Sequence, residues 1–417
     1  MGMTFVEKVF ANNSGKNKVI PSEIVTVNPD IVLTHDNSAA ISKTFEKLGV
    51  KKVKNPDSLV IILDHCVPAA SEIYATNHKV IRQFVKKNLI ANFFDINFGI
   101  CHQVLPEQGF AKPGSLILGS DSHTTTYGAF GAFSAGIGRS EAAVIWATGE
   151  MWLRVPETIK IEVEGNFRKN VSAKDLILKI IGDIGADGAL YKSVEFAGSA
   201  VSNMSIGGRM VLCNMAAEMG AKNGYVQFDD KTREWLSGRI QDEYEPVYSD
   251  IDASYENILK YDAGDIVSQV ACPHTVDNVR PVHELKGLKF DQVVIGTCTN
   301  GRLEDLERAA DILKGKKVAD NIRVLVFPAS REIFSDAIEK GIIAALHSAG
   351  CIIMNPGCGP CLGAHEGVLA PGEVCISTAN RNFKGRMGCK EGEIYLTSPE
   401  TAAASALAGE LLSSDML

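Results

Sequence analysis

The sequence predicts an α/β protein with several domains, and three observations support this. Short apolar runs alternate along the chain with longer amphipathic stretches, which is the pattern of parallel sheets covered by helices on both faces. The chain has 417 residues, a length that corresponds to about two to three domains. Hydrophobic residues make up 45% and charged residues 22%, a composition typical of a globular chain and not of a disordered one.

The apolar runs and the helical spacings between them locate the main elements. Six runs are predicted to be buried strands, at residues 58–63, 116–118, 292–295, 322–327, 351–354 and 374–376. Helical spacing predicts helices over 302–313 and 331–346. The acidic stretch 227–265 shows few strand signals. Domain limits near residues 156 and 284 divide the chain into three α/β segments, 1–156, 157–283 and 284–417.

Charge and hydropathy exclude several classes of partner. Lys and Arg number 42 and Asp and Glu number 50, a net charge of −8, which argues against nucleic acid as the main partner. No apolar run approaches the roughly 18–20 residues of a membrane span, and residues 1–10 lack the apolar region of a signal peptide. We therefore expect a cytoplasmic protein, whose 10 cysteines are better suited to metal or redox chemistry than to disulfides.

Side chains with catalytic potential directly follow five of the predicted strands. They are Asp64-His65, Asp121-Ser122-His123, Cys298, the pair Cys358 and Cys361, and Asn380-Arg381. Ligands of open α/β sheets bind at the carboxyl ends of strands. The pattern therefore predicts an active site assembled between sheets.

The segment Cys358-Gly359-Pro360-Cys361 is open to several interpretations. A zinc ribbon would need a second such motif, which the sequence lacks. A thioredoxin-type dithiol would need a helix starting after Cys358, but residues 362–367 contain two glycines. An iron–sulfur site would need a third thiolate, which Cys298 could supply. The two thiols could also simply pack in a core. The residues favour the cluster over the dithiol.

A cluster held by three cysteines leaves one iron open, and that iron is a Lewis acid. Because hydroxide is a poor leaving group, dehydration at such an iron also needs a general acid. His65, His102 and His123 are candidates, and a neighbouring carboxylate would keep such a histidine protonated. Taken alone, each histidine is more often a surface or core residue.

Two further motifs have both a functional and a structural explanation. Arg381 and Arg386 are five residues apart and suit a di- or tricarboxylate, although a solvated basic loop would look the same. The glycine-rich segment 128–138 lacks the third glycine of a dinucleotide loop, because position 141 is Glu. We interpret its glycines as points of close backbone packing.

Together these motifs resemble a known family over almost the whole chain. The sequence is similar to the large subunits of two-subunit hydro-lyases of the aconitase superfamily, the isopropylmalate isomerase and homoaconitase group. The matching segments are 34–37, 64–65, 99–105, 121–124, 128–138, 213–220, 380–386 and 398–405, together with the three cysteine positions.

The resemblance implies an architecture, a cofactor and roles for individual residues. It implies a three-domain aconitase-like fold with the site at strand carboxyl ends between domains, and one [4Fe-4S] cluster per chain with three cysteine ligands and one open iron. It further implies that His65, oriented by Asp64, protonates the departing hydroxyl. The ligand set would be Cys298, Cys358 and Cys361. The other catalytic residues would be His102 paired with Asp121 and His123 paired with Glu218. The substrate-binding residues would be Ser122, Asn214, Asn380, Arg381, Arg386 and His35, where aconitase itself has Gln.

The resemblance also implies a partner. The family's catalytic serine lies on a swivelling domain, which we expect to be absent here and supplied by a small subunit. The expected reaction is reversible dehydration and rehydration, with the interconversion of 3-isopropylmalate and 2-isopropylmalate in leucine biosynthesis as the first choice. Homoaconitate, citraconate or methylmalate, and 2,3-dimethylmalate are alternative substrates. Two other classes remain: a thiol–disulfide oxidoreductase using Cys358 and Cys361, and an iron-responsive nucleic-acid-binding protein, which the net charge disfavours.

Overall fold

The computed structural model describes residues 2–414, and the outer ends of the predicted segments, Met1 and residues 415–417, lie outside them. The helices within these residues are α1 (Phe5–Ser14), α2 (Ser38–Lys47), α3 (Glu72–Asn88), α4 (Cys101–Glu107), α5 (Arg139–Thr148), α6 (Ala173–Ile184), α7 (Ser199–Asn203), α8 (Ile206–Met215), α9 (Asp230–Leu236), α10 (Thr297–Asn300), α11 (Leu303–Leu313), α12 (Arg331–Glu339), α13 (Ile342–Ala349) and α14 (Pro399–Ala408). The strands are β1 (Ile24–Val27), β2 (Ile31–Thr34), β3 (Leu59–Ile62), β4 (Phe93–Phe94), β5 (Leu116–Gly119), β6 (Phe133–Gly136), β7 (Met151–Arg154), β8 (Thr158–Glu164), β9 (Ser193–Ala197), β10 (Asn223–Val226), β11 (Asn257–Asp262), β12 (Gln269–Ala271), β13 (Val279–Pro281), β14 (Gln292–Gly296), β15 (Arg323–Phe327), β16 (Ile352–Ile353), β17 (Val374–Ser377) and β18 (Glu393–Leu396).

The N-terminal part of the chain forms a parallel five-stranded sheet in the order β4-β3-β2-β5-β6. Every residue of β3 and β5 is buried, which means that both faces of the sheet are covered. Helix α2 packs against α3 and α5. A separate antiparallel ribbon of β1 and β7 joins the beginning of this region to its end.

The glycine-rich segment 128–138 packs closely against the next sheet, as the sequence predicts. A Cβ atom at Gly128 would lie 1.5 Å from the carbonyl oxygen of Gly224 in β10. Only glycine permits this approach of two backbones.

The middle of the chain forms a parallel four-stranded sheet in the order β10-β9-β8-β11. Its edge strand β11 lies inside the acidic stretch 227–265, where the sequence showed few strand signals. The strand pairs with β8 alone, and none of its residues is buried. Leu259 and Tyr261 are half-buried and pack against the core, while the other residues of the strand are exposed. So short an alternation is a weak strand signal in a sequence.

The C-terminal part forms a seven-stranded sheet in the order β13-β12-β18-β17-β14-β15-β16. The five strands from β18 to β16 are parallel, and β12 and β13 extend the sheet in the antiparallel sense. The predicted strands at 292–295, 322–327, 351–354 and 374–376 correspond to β14, β15, β16 and β17. The carboxyl ends of β14 and β17 therefore lie at one edge of this sheet.

The prediction of one helix over 331–346 is wrong. Helix α12 ends at Glu339, and α13 begins at Ile342. Gly341 between them has a φ angle of 73°, a left-handed conformation that ends a helix. Both helices bury one face, and the apolar spacing therefore continues through the break. Periodicity alone does not predict where one helix ends and the next begins.

All three larger sheets contribute to a common apolar interior. One cluster of buried side chains contains Val60 of β3, Ile161 of β8 and Val294 of β14. The parallel sheets and their covering helices confirm the predicted α/β class, whereas the domain limits near 156 and 284 stay predictions. No helix within residues 2–414 is long and apolar enough to cross a bilayer.

Candidate active site

Loops at the carboxyl ends of strands from different sheets bring the predicted site residues together. Asp64 and His65 follow β3, Asp121 follows β5, and Asn380 follows β17. Contacts connect His65, Asp64, Asp121, His102, His123, Glu218 and Arg381 in one series, and Cys298, Cys361, Asn214, Asn380 and Arg386 in a second. Cys358 joins the two series, because its backbone N–H donates to the carbonyl oxygen of Asp64 and its carbonyl oxygen accepts from the N–H of Cys361, both at 3.1 Å.

Unusual backbone conformations position the buried thiols. Cys298 lies in the single turn α10, directly after Thr297, whose φ angle is 66°. A positive φ at a β-branched residue is strained and occurs mainly where function requires it. Gly359, between Cys358 and Cys361, has a φ of 53° and packs against the ring of Phe327.

The surroundings of Cys358 do not match a thioredoxin-type dithiol. A short 3-10 turn, Gly359–Leu362, follows Cys358 and ends at Gly363, which is left-handed with a φ of 72°. An α-helix that would lower the pKa of Cys358 is therefore missing from this described loop. Both thiols are free and buried.

The three cysteines fit an iron–sulfur cluster better than a single metal ion. Within residues 2–414, two groups of three or more His, Cys, Asp or Glu have ligand atoms within 4.8 Å of one another, and the three cysteines belong to neither. Sulfurs around one zinc ion would be only about 3.8 Å apart, given zinc–sulfur bonds of about 2.3 Å. At least two of the three sulfurs are therefore more than 4.8 Å apart, which suits a ligand with several metal atoms better than a single ion.

Two amide groups complete a polar environment for the Cys298 sulfur. The Nδ2 groups of Asn380 and Asn214 donate to Cys298 Sγ at 3.3 and 3.4 Å. Hydrogen bonds of this kind stabilise a sulfur that carries negative charge. Burial, with a contribution from Cys361, raises the pKa of Cys298 to about 12, and burial raises the pKa of Cys358 well above its usual range. These thiols stay protonated at neutral pH until a metal displaces the proton.

His65 is held between two carboxylates. Its Nδ1 donates to Asp64 Oδ1 at 2.6 Å, and its Nε2 lies 3.5 Å from Asp121 Oδ2. Burial alone would lower the pKa of His65, but the Asp64 carboxylate, the neighbouring Cys358 and Asp121 together raise it well above 6.5. The ring is 18% exposed, which leaves a protonated imidazole within reach of a small molecule.

His35 stacks on His65 in a different protonation state. The two ring centroids are 3.7 Å apart, with 17° between the ring planes. Burial and the charge on His65 lower the pKa of His35 to about 4, which makes its imidazole neutral at neutral pH. Its Nδ1 is buried and has no hydrogen-bond partner within the described part of the chain.

Asp121 is the centre of the histidine cluster. Its Oδ1 accepts from His102 Nε2 at 2.9 Å and from the backbone N–H of His123 at 2.8 Å. Burial opposes ionisation of this carboxyl group, but hydrogen bonds from His102, His123 and His65 hold its pKa well below 3.8. The pair of Asp121 with His102 that the resemblance implies is present.

Glu218 forms the second implied pair and also contacts an arginine. Its Oε1 accepts from His123 Nε2 at 2.7 Å, and its two carboxylate oxygens lie 2.8 and 3.0 Å from Arg381 Nε. Burial would raise its pKa, but His123 and Arg381 lower it below 4.5. Arg381 is therefore not a solvated basic residue, since an acidic partner fixes its position.

Arg386 and Ser122 have different surroundings. Arg386 Nη2 lies 3.7 Å from Cys361 Sγ, and its Nε is buried without a hydrogen-bond partner in residues 2–414. Ser122 is exposed and borders a cavity of about 290 Å³, together with Gly136 and Lys222.

Three residues at the site have no role in the sequence-based prediction. Asp36 accepts hydrogen bonds from the backbone of the Asp64–His65 loop and from the buried His78. Lys174 is fully buried, and its Nζ donates to the carbonyl oxygens of Thr378 and Ala379, just before Asn380. Asp36 follows β2 in the same way that Asp64 follows β3, a signal that the sequence offers. His78 and Lys174 lie in helices and carry no such signal.

Comparison with known proteins identifies relatives over nearly the whole chain. The family model described as "Aconitase family (aconitate hydratase)" matches residues 7–287 and 280–409. A probable methanogen homoaconitase large subunit from Methanosarcina mazei is 56% identical over 383 residues, which cover 92% of this chain and 97% of that protein. The 3-isopropylmalate dehydratase large subunit 1 of Methanopyrus kandleri is 50% identical over 412 residues, which cover 99% of this chain and 98% of that protein.

A solved structure shares the fold. The holo-form crystal structure of Thermococcus kodakaraensis aconitase X superposes with a TM-score of 0.50 at 13% identity, and the match covers 90% of this chain and 89% of that one. At this identity the likeness concerns the fold alone.

Proposed function

Because this chain belongs to the aconitase family, we propose that it is the large subunit of a two-subunit hydro-lyase. The enzyme reversibly removes water from a hydroxy di- or tricarboxylate. Addition of water to the resulting unsaturated acid completes the isomerisation. The observation that carries the proposal is the position of His65, a protonated imidazole held by Asp64 and Asp121 beside the Cys358 thiol. The names of two relatives, homoaconitase and 3-isopropylmalate dehydratase, support the reaction class.

We assign one [4Fe-4S] cluster per chain to Cys298, Cys358 and Cys361. The spacing of the sulfurs and the amide groups of Asn214 and Asn380 support this assignment. Bound there, the cluster would supply one iron without a protein ligand, a Lewis acid for the substrate's hydroxyl and carboxylate oxygens.

His65 is the general acid of the proposed reaction. Asp64 occupies its Nδ1, and the proton on Nε2 is therefore the one available to the departing hydroxyl group. Protonation is needed because hydroxide is a poor leaving group. Asp121 fixes His102 and stabilises the positive charge on His65.

The substrate carboxylates bind to the arginines. Arg381 is oriented through its Nε by Glu218, which leaves its two Nη groups for a carboxylate. Arg386, which has an unpartnered buried Nε within the described chain, and the exposed Ser122 are the next substrate-binding residues of the proposal. His35, which is neutral and stacks on His65, is also assigned to the substrate-binding residues. Glu218 also fixes His123.

The partner is a small subunit that carries the swivelling domain and the catalytic serine. The names of the two curated relatives describe them as large subunits. We expect the reconstituted chain to be inactive alone and active after addition of a matching small subunit. Full activity of the chain alone would refute this part of the proposal.

The first-choice reaction is the interconversion of 3-isopropylmalate and 2-isopropylmalate in leucine biosynthesis. Homoaconitate is the second candidate, because a relative with 56% identity is a probable homoaconitase large subunit. Citraconate or methylmalate and 2,3-dimethylmalate remain further alternatives. Assays of the complex with each acid, with the small subunit varied separately, decide among them. We also place the complex in the cytoplasm.

Iron and sulfide analysis tests the cluster against the dithiol. After anaerobic reconstitution, wild type should contain about four irons and four sulfides per chain, and Cys298→Ser should lose them. Cys389→Ser is the matched control, because Cys389 is a free cysteine outside the ligand set and should leave the counts unchanged. Absence of sulfide from wild type, with dithiol activity that survives Cys298→Ser, would favour the thiol–disulfide alternative.

A further inference from the structure

The carboxylate of Asp36 is surrounded by successive backbone N–H groups of the loop that carries His65. Asp36 Oδ2 accepts from the N–H groups of Asp64 and His65, both at 2.9 Å, and Oδ1 lies 3.4 Å from the N–H of Cys66. Consecutive N–H groups that converge in this way form an anion-binding concavity. Hydrogen bonds to a charged acceptor are stronger than neutral ones.

A histidine in helix α3 holds the Asp36 carboxylate in place. His78 lies in α3, is buried, and donates its Nε2 hydrogen to Asp36 Oδ1 at 2.8 Å. A carboxylate can only accept, and the Nε2 atom must therefore carry the hydrogen. Both side chains are almost fully buried, a position in which an unpaired partner would be costly.

The loop between β3 and α3 is thereby held from two sides. Asp36 binds its backbone, while the side chain of Asp64 points away, to His65 Nδ1 at 2.6 Å and to the N–H of Cys101 at 2.7 Å. The residue before Asp36 is His35, whose ring stacks on His65. A shift of Asp36 would therefore move the imidazole through its backbone and its stacking partner together.

We propose that Asp36, fixed by His78, is a positioning residue that sets the location of the His65 ring from which the proton is delivered. The proposal rests on the function proposed above, because it concerns the acid of that reaction. Neither Asp36 nor His78 needs to touch the substrate. Their effect is transmitted through three backbone N–H groups.

Substitutions that keep the size of each side chain test this proposal. Asp36→Asn weakens the acceptor, and His78→Phe keeps a ring but removes the donor. In the complex with the small subunit, both should lower kcat by about 10- to 100-fold, with KM changed less than about twofold and with iron and sulfide contents unchanged. Asp291→Asn is the matched control, because Asp291 also accepts from a backbone N–H, that of Val374, but away from the site.

A double substitution separates positioning from general damage. If Asp36 acts through His65, Asp36→Asn should lower kcat much less in a His65→Asn background than in wild type. An equal loss in both backgrounds, or a kcat for Asp36→Asn within about twofold of the Asp291→Asn control, would overturn the proposal. If Asp36→Asn fails to fold, His78→Phe carries the test, because it keeps the Asp36 carboxylate and removes only the hydrogen bond that fixes it.

Chemical labelling gives a readout that does not depend on activity. We expect diethyl pyrocarbonate to modify His65 several-fold faster in Asp36→Asn and His78→Phe than in wild type, measured by mass spectrometry of the peptide. An unchanged rate in both variants would contradict the positioning role. If wild type shows no hydro-lyase activity with any acid or small subunit, the proposed function fails, while the labelling rates still decide whether Asp36 positions His65.

Discussion

The imidazole of His123 and the carboxylate of Glu218 are 2.7 Å apart, although 95 residues separate them along the chain. His123 follows β5 of the five-stranded sheet, and Glu218 follows α8, which packs beside the four-stranded sheet. Arg381, which follows β17 of the seven-stranded sheet, donates to the same carboxylate at 2.8 Å. One buried carboxylate therefore connects the regions of all three sheets at the site.

Replacing Glu218 should damage both binding and catalysis. Glu218→Gln leaves the guanidinium of Arg381 without its anionic partner, and we expect kcat/KM to fall by at least about 10-fold and stability by about 3 kcal/mol. Steady-state kinetics and thermal unfolding measure the two effects. Glu400→Gln is the control, because Glu400 is equally buried and pairs with Arg308 at 2.5 Å outside the catalytic cluster. A similar loss of kcat/KM in the control would show that the effect is only structural.

Removing an amide donor from the Cys298 sulfur should change the reduction potential of a bound cluster. In Asn380→Ala the N–H group at 3.3 Å from Sγ is lost. We expect a lower potential, because hydrogen bonds to ligand sulfur stabilise the more negative, reduced form. Redox titration of the reconstituted chain measures the shift. Asn382→Ala, at a buried amide that donates to the carbonyl oxygen of Cys272, should leave the potential unchanged; equal shifts in both variants would argue against the role of Asn380.

The carboxyl group of Glu107 should make stability dependent on pH. Burial raises its pKa from 4.5 to about 7, against the hydrogen bonds from Ser330 and Gln103. A raised folded-state pKa means that the folded chain binds the proton more tightly. Its contribution is therefore complete below pH 4.5 and is lost as the pH rises through about 7.

Unfolding curves of wild type and Glu107→Gln measure this dependence. Between pH 5 and pH 8 the variant should gain stability relative to wild type, because its amide cannot ionise. Glu391→Gln, at an exposed position, should change equally little at both pH values. A constant difference between wild type and Glu107→Gln across this range would contradict the raised pKa.

Two glycines should respond oppositely to alanine. A Cβ at Gly128 would overlap the carbonyl oxygen of Gly224, and Gly128→Ala should cost about 1–3 kcal/mol as backbones move apart. Gly208 lies within α8, where a Cβ would meet its neighbours at 3.5 Å, an ordinary contact. Gly208→Ala should raise stability by about 0.5–1 kcal/mol. Denaturant unfolding of both variants tests the pair, and equal destabilisation would contradict the packing argument.

Much of the site could be predicted because its signals are local. An apolar run that ends in Asp-His or in Asn-Arg marks a strand and the loop after it, and β3 and β17 are followed by these residues. The proximity of Cys298 and Cys361 was harder to predict. The two residues lie far apart in the sequence, and no local pattern indicates which strand ends come together. The residues alone make Cys298 a candidate for the third thiolate, and the resemblance to a family implies the full ligand set.

The unpredicted features depend on contacts between distant elements. The hydrogen bond from His78 to Asp36 connects a helix with a strand end 42 residues away. No sequence pattern near either residue predicts this contact. The edge strand β11 pairs with one neighbour and has two half-buried apolar residues, Leu259 and Tyr261, too few for a clear periodic signal. The break between α12 and α13 depends on the positive φ angle of Gly341. The apolar spacing on both sides continues through this residue and therefore does not predict the break.

The position of β18 has a consequence for synthesis on the ribosome. This strand, Glu393–Leu396, inserts between β17 and β12, although every cysteine proposed as a ligand precedes it in the chain. A growing polypeptide therefore exposes all three thiols while the sheet beneath them still lacks an inner strand. Delivery of iron and sulfide after translation has passed β18 and α14 would meet a completed and covered sheet. Earlier delivery would meet a nascent chain with its thiols open to oxidation.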